Sequence, residues 1–410
     1  MNQRVLILSW EFPPIVEGGL ARHVHKLTEA LLAHDVEVHV LTRGDRATAG
    51  SQEERDDGVV VHRVAEPPFP KGDLDGFVAW VQGMNRDMLA AGAKLAERHS
   101  FDLVHSHDWL VAEAAHGLAE TIGVPWITTI HATESGRHQG WVDKHPQSYI
   151  HGVERWMAQT ADRVITCSAY MRGHVADVFG LPPERVTVIA NGIDPTDLQA
   201  VDDLDALRAQ FAEPDEKLIL LIGRLVYEKG FQLALDALPA VIARHGRVRF
   251  VVAGTGTHEE ELKAQAERLG LGPYGTFVGW LGDEALHSLY RIADVCVVPS
   301  IYEPFGLVAL EAMASGCPCI VADTGGLREV VPNSDVGLRF RARDPASLAR
   351  MVNRVLGDEA LAERLALEAQ EHVLKFDWAD VARQTVGVYS AVLARAANAD
   401  ADAALLEQQH

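Results

Sequence analysis

Short apolar runs alternate along this chain with longer stretches whose apolar residues recur every three or four positions. In the first half the runs are Arg4–Ser9, Val36–Thr42, Gly58–Val64, Asp102–Ser106, Trp126–Ile130 and Arg163–Cys167. Helical periodicity fills intervals between them, from about Leu20 to Ala33 and from Phe77 to Arg98. The rhythm restarts in the second half at Leu218–Gly223, Arg249–Gly254, Thr276–Gly279, Val295–Pro299 and Cys319–Ala322. Its clearest helical patterns there are His258–Leu269 and Phe305–Ser315. Continuous apolar runs separated by amphipathic helices predict parallel strands buried on both faces. The expected fold class is α/β, with two Rossmann-like, doubly wound domains.

The stretch Asp194–Glu216 is acidic and carries Pro195 and Pro214, which marks it as the boundary. It separates a first domain, 1–195, from a second, 205–375. An amphipathic helix over 376–397 follows and is expected to cross back to the first domain. The mostly polar tail from Asp400 is expected to fray. Ligands of doubly wound sheets bind beyond the carboxyl ends of the strands. The functional residues are therefore expected in loops after strands, facing a central cleft.

Composition narrows the classes. A chain of 410 residues is too long for one ordinary core. Its net charge of −21 argues against nucleic acid and anionic membrane surfaces as partners. No run reaches the ~18–20 apolar residues of a membrane span, and Val5–Leu8 is too short for a signal-peptide core. Cys317 and Cys319 lack the second pair that a zinc site needs, so the cysteines read as reduced thiols and the location as cytoplasmic. Oligomeric state leaves no mark on the sequence.

Four segments carry candidate chemistry. In Pro299–Glu311 a strand ends and a helix begins near Phe305, so Glu303 lies at the helix entrance and Glu311 along the helix. Free N–H groups at Gly306 and Leu307 suit a phosphate, and the two carboxylates suit sugar and ribose hydroxyls. Taken alone, the pair fits equally well an acid stabilising a helix start and a solvated face. In Gly223–Gly230, Arg224 and Lys229 stand five residues apart after a strand and can converge on a diphosphate. In Pro13–Leu20, Gly18 and Gly19 lead from a strand into a helix, a second potential phosphate cradle. Gly254-Thr255-Gly256 is only a fragment of a dinucleotide fingerprint and reads as a tight turn. The fourth segment is histidine-rich: His105-Ser106-His107-Asp108-Trp109, with Thr129-Ile130-His131-Ala132-Thr133-Glu134 after the next strand. No three of these have the helical spacing of a zincin, and no metal is expected.

These residues resemble the retaining glycosyltransferases of family four, within it the glycogen synthase-like α-glucosyltransferases. Glu303-Pro-Phe-Gly-Leu-Val-Ala-Leu-Glu311 resembles the family's paired-glutamate signature, and Arg224 with Lys229 its diphosphate pair. Asn191-Gly192-Ile193-Asp194 and Gly325-Gly326-Leu327-Arg328-Glu329 fit further signatures, and the resemblance runs from Ser9 to about Trp378. His107-Asp108-Trp109 is similar to the His-Asp-Trp of glycogen and starch synthases. The run Thr129–Gly140 is similar to an actinobacterial and archaeal branch linked to α-1,4-glucan or methylglucose polysaccharide synthesis. One position departs: bacterial glycogen synthases carry Lys-Thr-Gly-Gly-Leu where this chain has Val16-Glu17-Gly18-Gly19-Leu20.

The resemblance implies a GT-B fold and a metal-independent transfer of glucose from a nucleoside-diphosphate glucose to a glucan or oligosaccharide, with no cofactor. It assigns donor binding to Gly18, Gly19, Arg224, Lys229, Glu303, Phe305, Gly306, Leu307 and Glu311, with catalysis at Glu303, His131, Arg224 and Lys229. The sugar and acceptor pocket falls to His107, Asp108, Trp109 and Glu134. Asp73-Leu74-Asp75 looks like the metal clamp of other sugar transferases but lies in a polar, glycine-rich stretch and reads as a solvated turn. Three alternatives stay open: a relative with another donor or acceptor (a mannosyltransferase, a trehalose or sucrose-type synthase), a nucleotide-sugar epimerase, and a homologue without catalysis.

Overall fold

In the computed structural model, which describes residues 3–45, 48, 50, 52–54, 57–66 and 74–407, the chain divides into two units. One is Met1–Gly192 with Trp378–His410, the other Ile193–Asp377. The first is built on β1 (Gln3–Leu8), β2 (Val36–Gly44), β3 (Gln52–Glu54), β4 (Val60–Ala65), β5 (Leu103–His107), β6 (Trp126–Ile130), β7 (Arg163–Thr166) and β8 (Val186–Val188). These form one sheet in the order β3-β4-β2-β1-β5-β6-β7-β8, parallel except for the β3–β4 pair. The chain winds outward from β1 and then returns to β5. The winding direction therefore reverses between β1 and β5, the place where such sheets receive ligands.

The second unit repeats the plan with β9 (Lys217–Ile222), β10 (Val248–Ala253), β11 (Gly275–Gly279), β12 (Val295–Val298), β13 (Cys319–Ala322) and β14 (Leu338–Phe340). Their order is β11-β10-β9-β12-β13-β14, all parallel, with the reversal between β9 and β12. Helices cover both sheets, which is why strands such as β9 and β12 are buried along nearly their whole length. All four cysteines are buried thiols.

Some elements differ from the sequence expectation. β3, β8 and β14 are three residues each, too short for periodicity to register, and β3 is entirely polar. The last helix runs Trp378–Glu407, past the point where fraying was expected. Its Ala-rich, Gly- and Pro-free continuation keeps the propensity high. Asp73 lies outside the described residues, and Leu74 and Asp75 open a helix, Leu74–Ala96, rather than a turn. No helix among the described residues is long and apolar enough to cross a membrane.

The last helix belongs to the first unit. Val381, Ala382, Val388, Tyr389 and Val392 join Val24, Leu27 and Leu31 of the helix Gly19–Leu32 in one core. Gly192 meets the indole of Trp378 so closely that an added Cβ would lie 2.6 Å from it. The fully buried Tyr389 hydroxyl bonds His105 Nδ1 at 2.7 Å. Replacing Tyr389 with Phe strands that buried nitrogen, and the first unit is expected to lose about 1–2 kcal/mol. Urea unfolding followed by tryptophan fluorescence measures this, and an unchanged midpoint would remove the hydrogen bond from the account.

Candidate active site

In the second unit the loops after β9 and β12 are stitched together through the main chain. The Glu228 carbonyl accepts the N–H groups of Ile301 (2.8 Å) and Tyr302 (3.2 Å). Gly230 makes this approach possible: its φ is +72°, and a Cβ there would lie 2.0 Å from the Pro299 carbonyl oxygen. The result sets Lys229 Nζ 2.8 Å from Glu303 Oε2, which also accepts from Ser300 Oγ at 3.0 Å. Glu303 is buried and Lys229 half-buried.

The loop after β13 closes on the same place. Gly326 donates its N–H to the Glu303 carbonyl at 2.9 Å, and a Cβ on it would lie 2.3 Å from the Pro304 oxygen. This accounts physically for the second glycine of Gly325-Gly326-Leu327. Phe305 is buried, and Gly306 precedes the helix Leu307–Ala314, two residues later than the sequence suggested. No side chain caps that helix start. Glu311, half-buried on the helix, accepts from the buried hydroxyl of Tyr290 at 2.8 Å. Arg224 is exposed at the end of β9. Gly254 and Gly256 do more than turn the chain, since added Cβ atoms would lie 1.9 Å and 2.3 Å from the carbonyl oxygens of Gly223 and Leu225. They seat the Arg224 loop.

In the first unit, His107 ends β5 and His131 follows β6. Their rings stack, with His107 Nδ1 and His131 Nε2 3.0 Å apart. His23, from the helix Gly19–Leu32, packs edge-on at 4.6 Å from the His131 ring. Asp108 accepts the His131 N–H at 2.8 Å and donates its own N–H to the Thr129 carbonyl. Trp109 is buried and meets Phe77 edge to face, so it walls the loop. Thr133 caps the short helix Glu134–Arg137, and Glu154 receives the Glu134 N–H on both oxygens, at 2.9 and 3.0 Å.

Burial sets the charges in this network. Desolvation, and then Arg137, push His131 down to about 3. Desolvation does the same to His105, and it holds His107 and His23 well below the usual histidine range. The histidines are therefore neutral hydrogen-bonding groups at neutral pH. Burial also raises Asp108 to about 6 and Glu154 to about 8.

At the glycine loop, Gly18 gives its N–H to the carboxylate of buried Glu11 at 3.2 Å, and Glu17 donates to the same oxygen. Arg43 bridges Glu17 (2.7 Å) and Glu66 (3.0 Å) and lies over the Trp10 ring. Gly19 is exposed. In this arrangement a carboxylate holds the Gly18 N–H that the sequence offered to a phosphate.

Four residues in contact with the candidate site escaped the sequence reading: Glu11, His23, Glu154 and Tyr290. Two had a readable signal. Glu154 shares the buried stripe Ile150, Glu154, Met157, Ala158, and His23 falls among Ala21, Val24 and Leu27. A polar residue at a core position of a helix asks for a partner.

Two family profiles match the chain, described as "Glycosyltransferase Family 4" over residues 17–197 and "Glycosyl transferases group 1" over 203–372. The glycogen synthase of Mycobacterium tuberculosis is 42% identical over 398 residues, 95% of this chain and 94% of that protein. The chain belongs to glycosyltransferase family 4. Another relative, the D-inositol 3-phosphate glycosyltransferase of Frankia alni, is 33% identical over 93% of this chain and 96% of that protein. Among solved structures, sucrose-phosphate synthase from Thermosynechococcus elongatus matches with a TM-score of 0.82 at 26% identity, over 96% of this chain and all of that one. The family 4 chain is thus a hexosyltransferase of the GT-B fold.

Glu154 supplies a pH test of the first unit. Its folded-state pKa is raised from the usual 4.5 to about 8, so the folded protein keeps a proton that the unfolded chain releases. That stabilisation is complete below about 4.5 and is lost as pH rises through about 8. Glu154→Gln mimics the protonated acid and removes this contribution to the pH dependence. Urea midpoints compared at the acid and alkaline ends of the window should converge for the variant relative to wild type; parallel profiles would refute a protonated Glu154.

Proposed function

We propose that this family 4 enzyme transfers glucose, with retention, from ADP- or UDP-glucose to an α-1,4-glucan or oligosaccharide in the cytoplasm. The observation that carries the reading is the Lys229–Glu303 pair at the β9/β12 reversal, supported by 42% identity to a glycogen synthase. In the reaction the bond from the sugar's anomeric carbon to the diphosphate breaks, and one to an acceptor hydroxyl oxygen forms. A phosphate oxygen of the leaving group takes the acceptor's proton on the same face of the sugar.

Negative charge grows on the diphosphate as the sugar becomes cation-like. Lys229, with three donor hydrogens, serves Glu303 and a phosphate together, and Arg224 adds a forked contact. The uncapped N–H groups at Gly306 and Leu307 add their dipole. Glu303 holds hydroxyls of the transferring sugar and Glu311 those of the ribose. Neutral His131, with His107, Asp108 and Glu134 behind it, contacts the sugar near its 6-hydroxyl. A neutral imidazole suits a hydroxyl because it adds no competing charge beside the cation-like sugar. No step in this scheme calls on a metal ion.

A second reading, a relative with another donor or acceptor, is favoured by Val16. It is an exposed apolar residue where bacterial glycogen synthases carry lysine. The Frankia alni relative, named for a non-glucan acceptor, points the same way.

Diphosphate release from ADP-, UDP- and GDP-sugars, with and without glycogen or maltooligosaccharide, separates the two. Glucan-dependent release from a glucose donor is expected, whereas release from GDP-mannose alone would overturn the glucan reading. Lys229→Ala and Glu303→Ala are each expected to lower kcat about 100- to 1,000-fold, the effect of deleting one electrostatic donor, while circular dichroism stays unchanged. Near-wild-type turnover in either variant would refute the site.

A further inference from the structure

We propose that His23, His107 and His131 form a binding site for a borderline divalent transition cation, Zn2+ in the first instance. The three rings arrive from different elements: the helix Gly19–Leu32, the end of β5 and the loop after β6. One ring nitrogen of each lies within 4.8 Å of the other two. His107 Nδ1 and His131 Nε2, at 3.0 Å, are already near the edge of a tetrahedral zinc site, about 3.3 Å for zinc–nitrogen bonds of ~2.0–2.1 Å. His23 Nδ1 and His107 Nε2 are buried without a hydrogen-bond partner among the described residues. Their side chains are 7% and 0% exposed. The cluster thus has more buried donor and acceptor capacity than the protein uses.

The donor set selects the ion. Three imidazole nitrogens match Zn2+, Co2+, Ni2+ or Cu2+ and not the oxygen-seeking Mg2+ or Ca2+. Three protein ligands leave a fourth position for water, as in open zinc sites. Half-buried His131 gives the ion its route from solvent. The cation holds the His131 ring that the proposed function sets against the sugar. Inhibition by Zn2+ follows, and that consequence alone rests on the functional reading.

The test is titration of the full-length protein with Co2+ and with Zn2+. One equivalent of Co2+ with the visible d–d bands of a tetrahedral site is expected, displaced by Zn2+ and not by Mg2+. His23→Gln and His107→Gln should each weaken binding by about 10-fold or more, with folding checked by circular dichroism. In turnover assays Zn2+ should inhibit wild type, a chelator should restore it, and His23→Gln should lose the Zn2+ inhibition relative to its own metal-free rate. Absence of the tetrahedral bands, or undiminished binding in both variants, overturns the site. Binding without inhibition upholds the site and removes His131 from the sugar contact.

Discussion

The second unit's chemistry depends on how closely three strand-end loops approach one another through their main chains. The Glu228 carbonyl reaches the N–H groups of Ile301 and Tyr302, and the Glu303 carbonyl takes the N–H of Gly326. Side chains would prevent both contacts. A Cβ at position 230 or 326 would penetrate a carbonyl oxygen at 2.0 or 2.3 Å, and nothing flexible is there to yield. The Lys229–Glu303 ion pair is therefore a consequence of backbone packing. Such a pair, only partly exposed, is a weak source of stability because desolvation offsets its Coulomb gain. Its value is placement: a cation and a carboxylate are fixed at the sheet's reversal, where the proposed function uses them for phosphate and for sugar hydroxyls.

The first unit solves a different problem. Around His131, low-dielectric surroundings push four histidines (His23, His105, His107 and His131) and the carboxyl groups of Asp108 and Glu154 toward their neutral forms. Under the proposed function this unit supplies uncharged hydrogen-bonding groups, whereas the second unit carries the charged pair Lys229 and Glu303. On the proposed reading a protonated imidazole beside a cation-like sugar would oppose the reaction, and desolvation keeps His131 neutral.

Much of this was legible in the sequence because it is local. Apolar runs marked the long strands, and the positions of Arg224, Lys229 and Glu303 in loops beyond strands, with Glu311 on the helix that follows, pointed to one ligand face. Their spacing from strand to loop to helix is a property of short segments. What was not legible depends on contacts between distant positions. Tyr389 meets His105 across 284 residues of chain, and Glu154 meets the Glu134 N–H from a separate helix. Glu11 precedes two prolines with no periodic pattern to show that its carboxylate turns back onto Gly18. The sequence offered Gly18 as a donor to phosphate, but it could not show that a neighbouring carboxylate holds that N–H.

The last helix shows why such distant contacts govern the site. Trp378, Val381, Thr385 and Tyr389 follow one another at three- and four-residue intervals, so they share one face of the helix. That face lies on the histidine layer: Trp378 packs 5.4 Å from the His23 ring, Tyr389 bonds His105, and Val381 and Thr385 line a small cavity with His23. His105 in turn is fixed through its second nitrogen to Thr129 Oγ1, and the Thr129 carbonyl receives the N–H of Asp108. Asp108 then holds the His131 main chain. The orientation of His131 therefore rests on a relay that begins more than two hundred residues later in the chain. The amphipathic helix that the sequence expected to return to the first domain does so, and its stripe packs on the histidine layer.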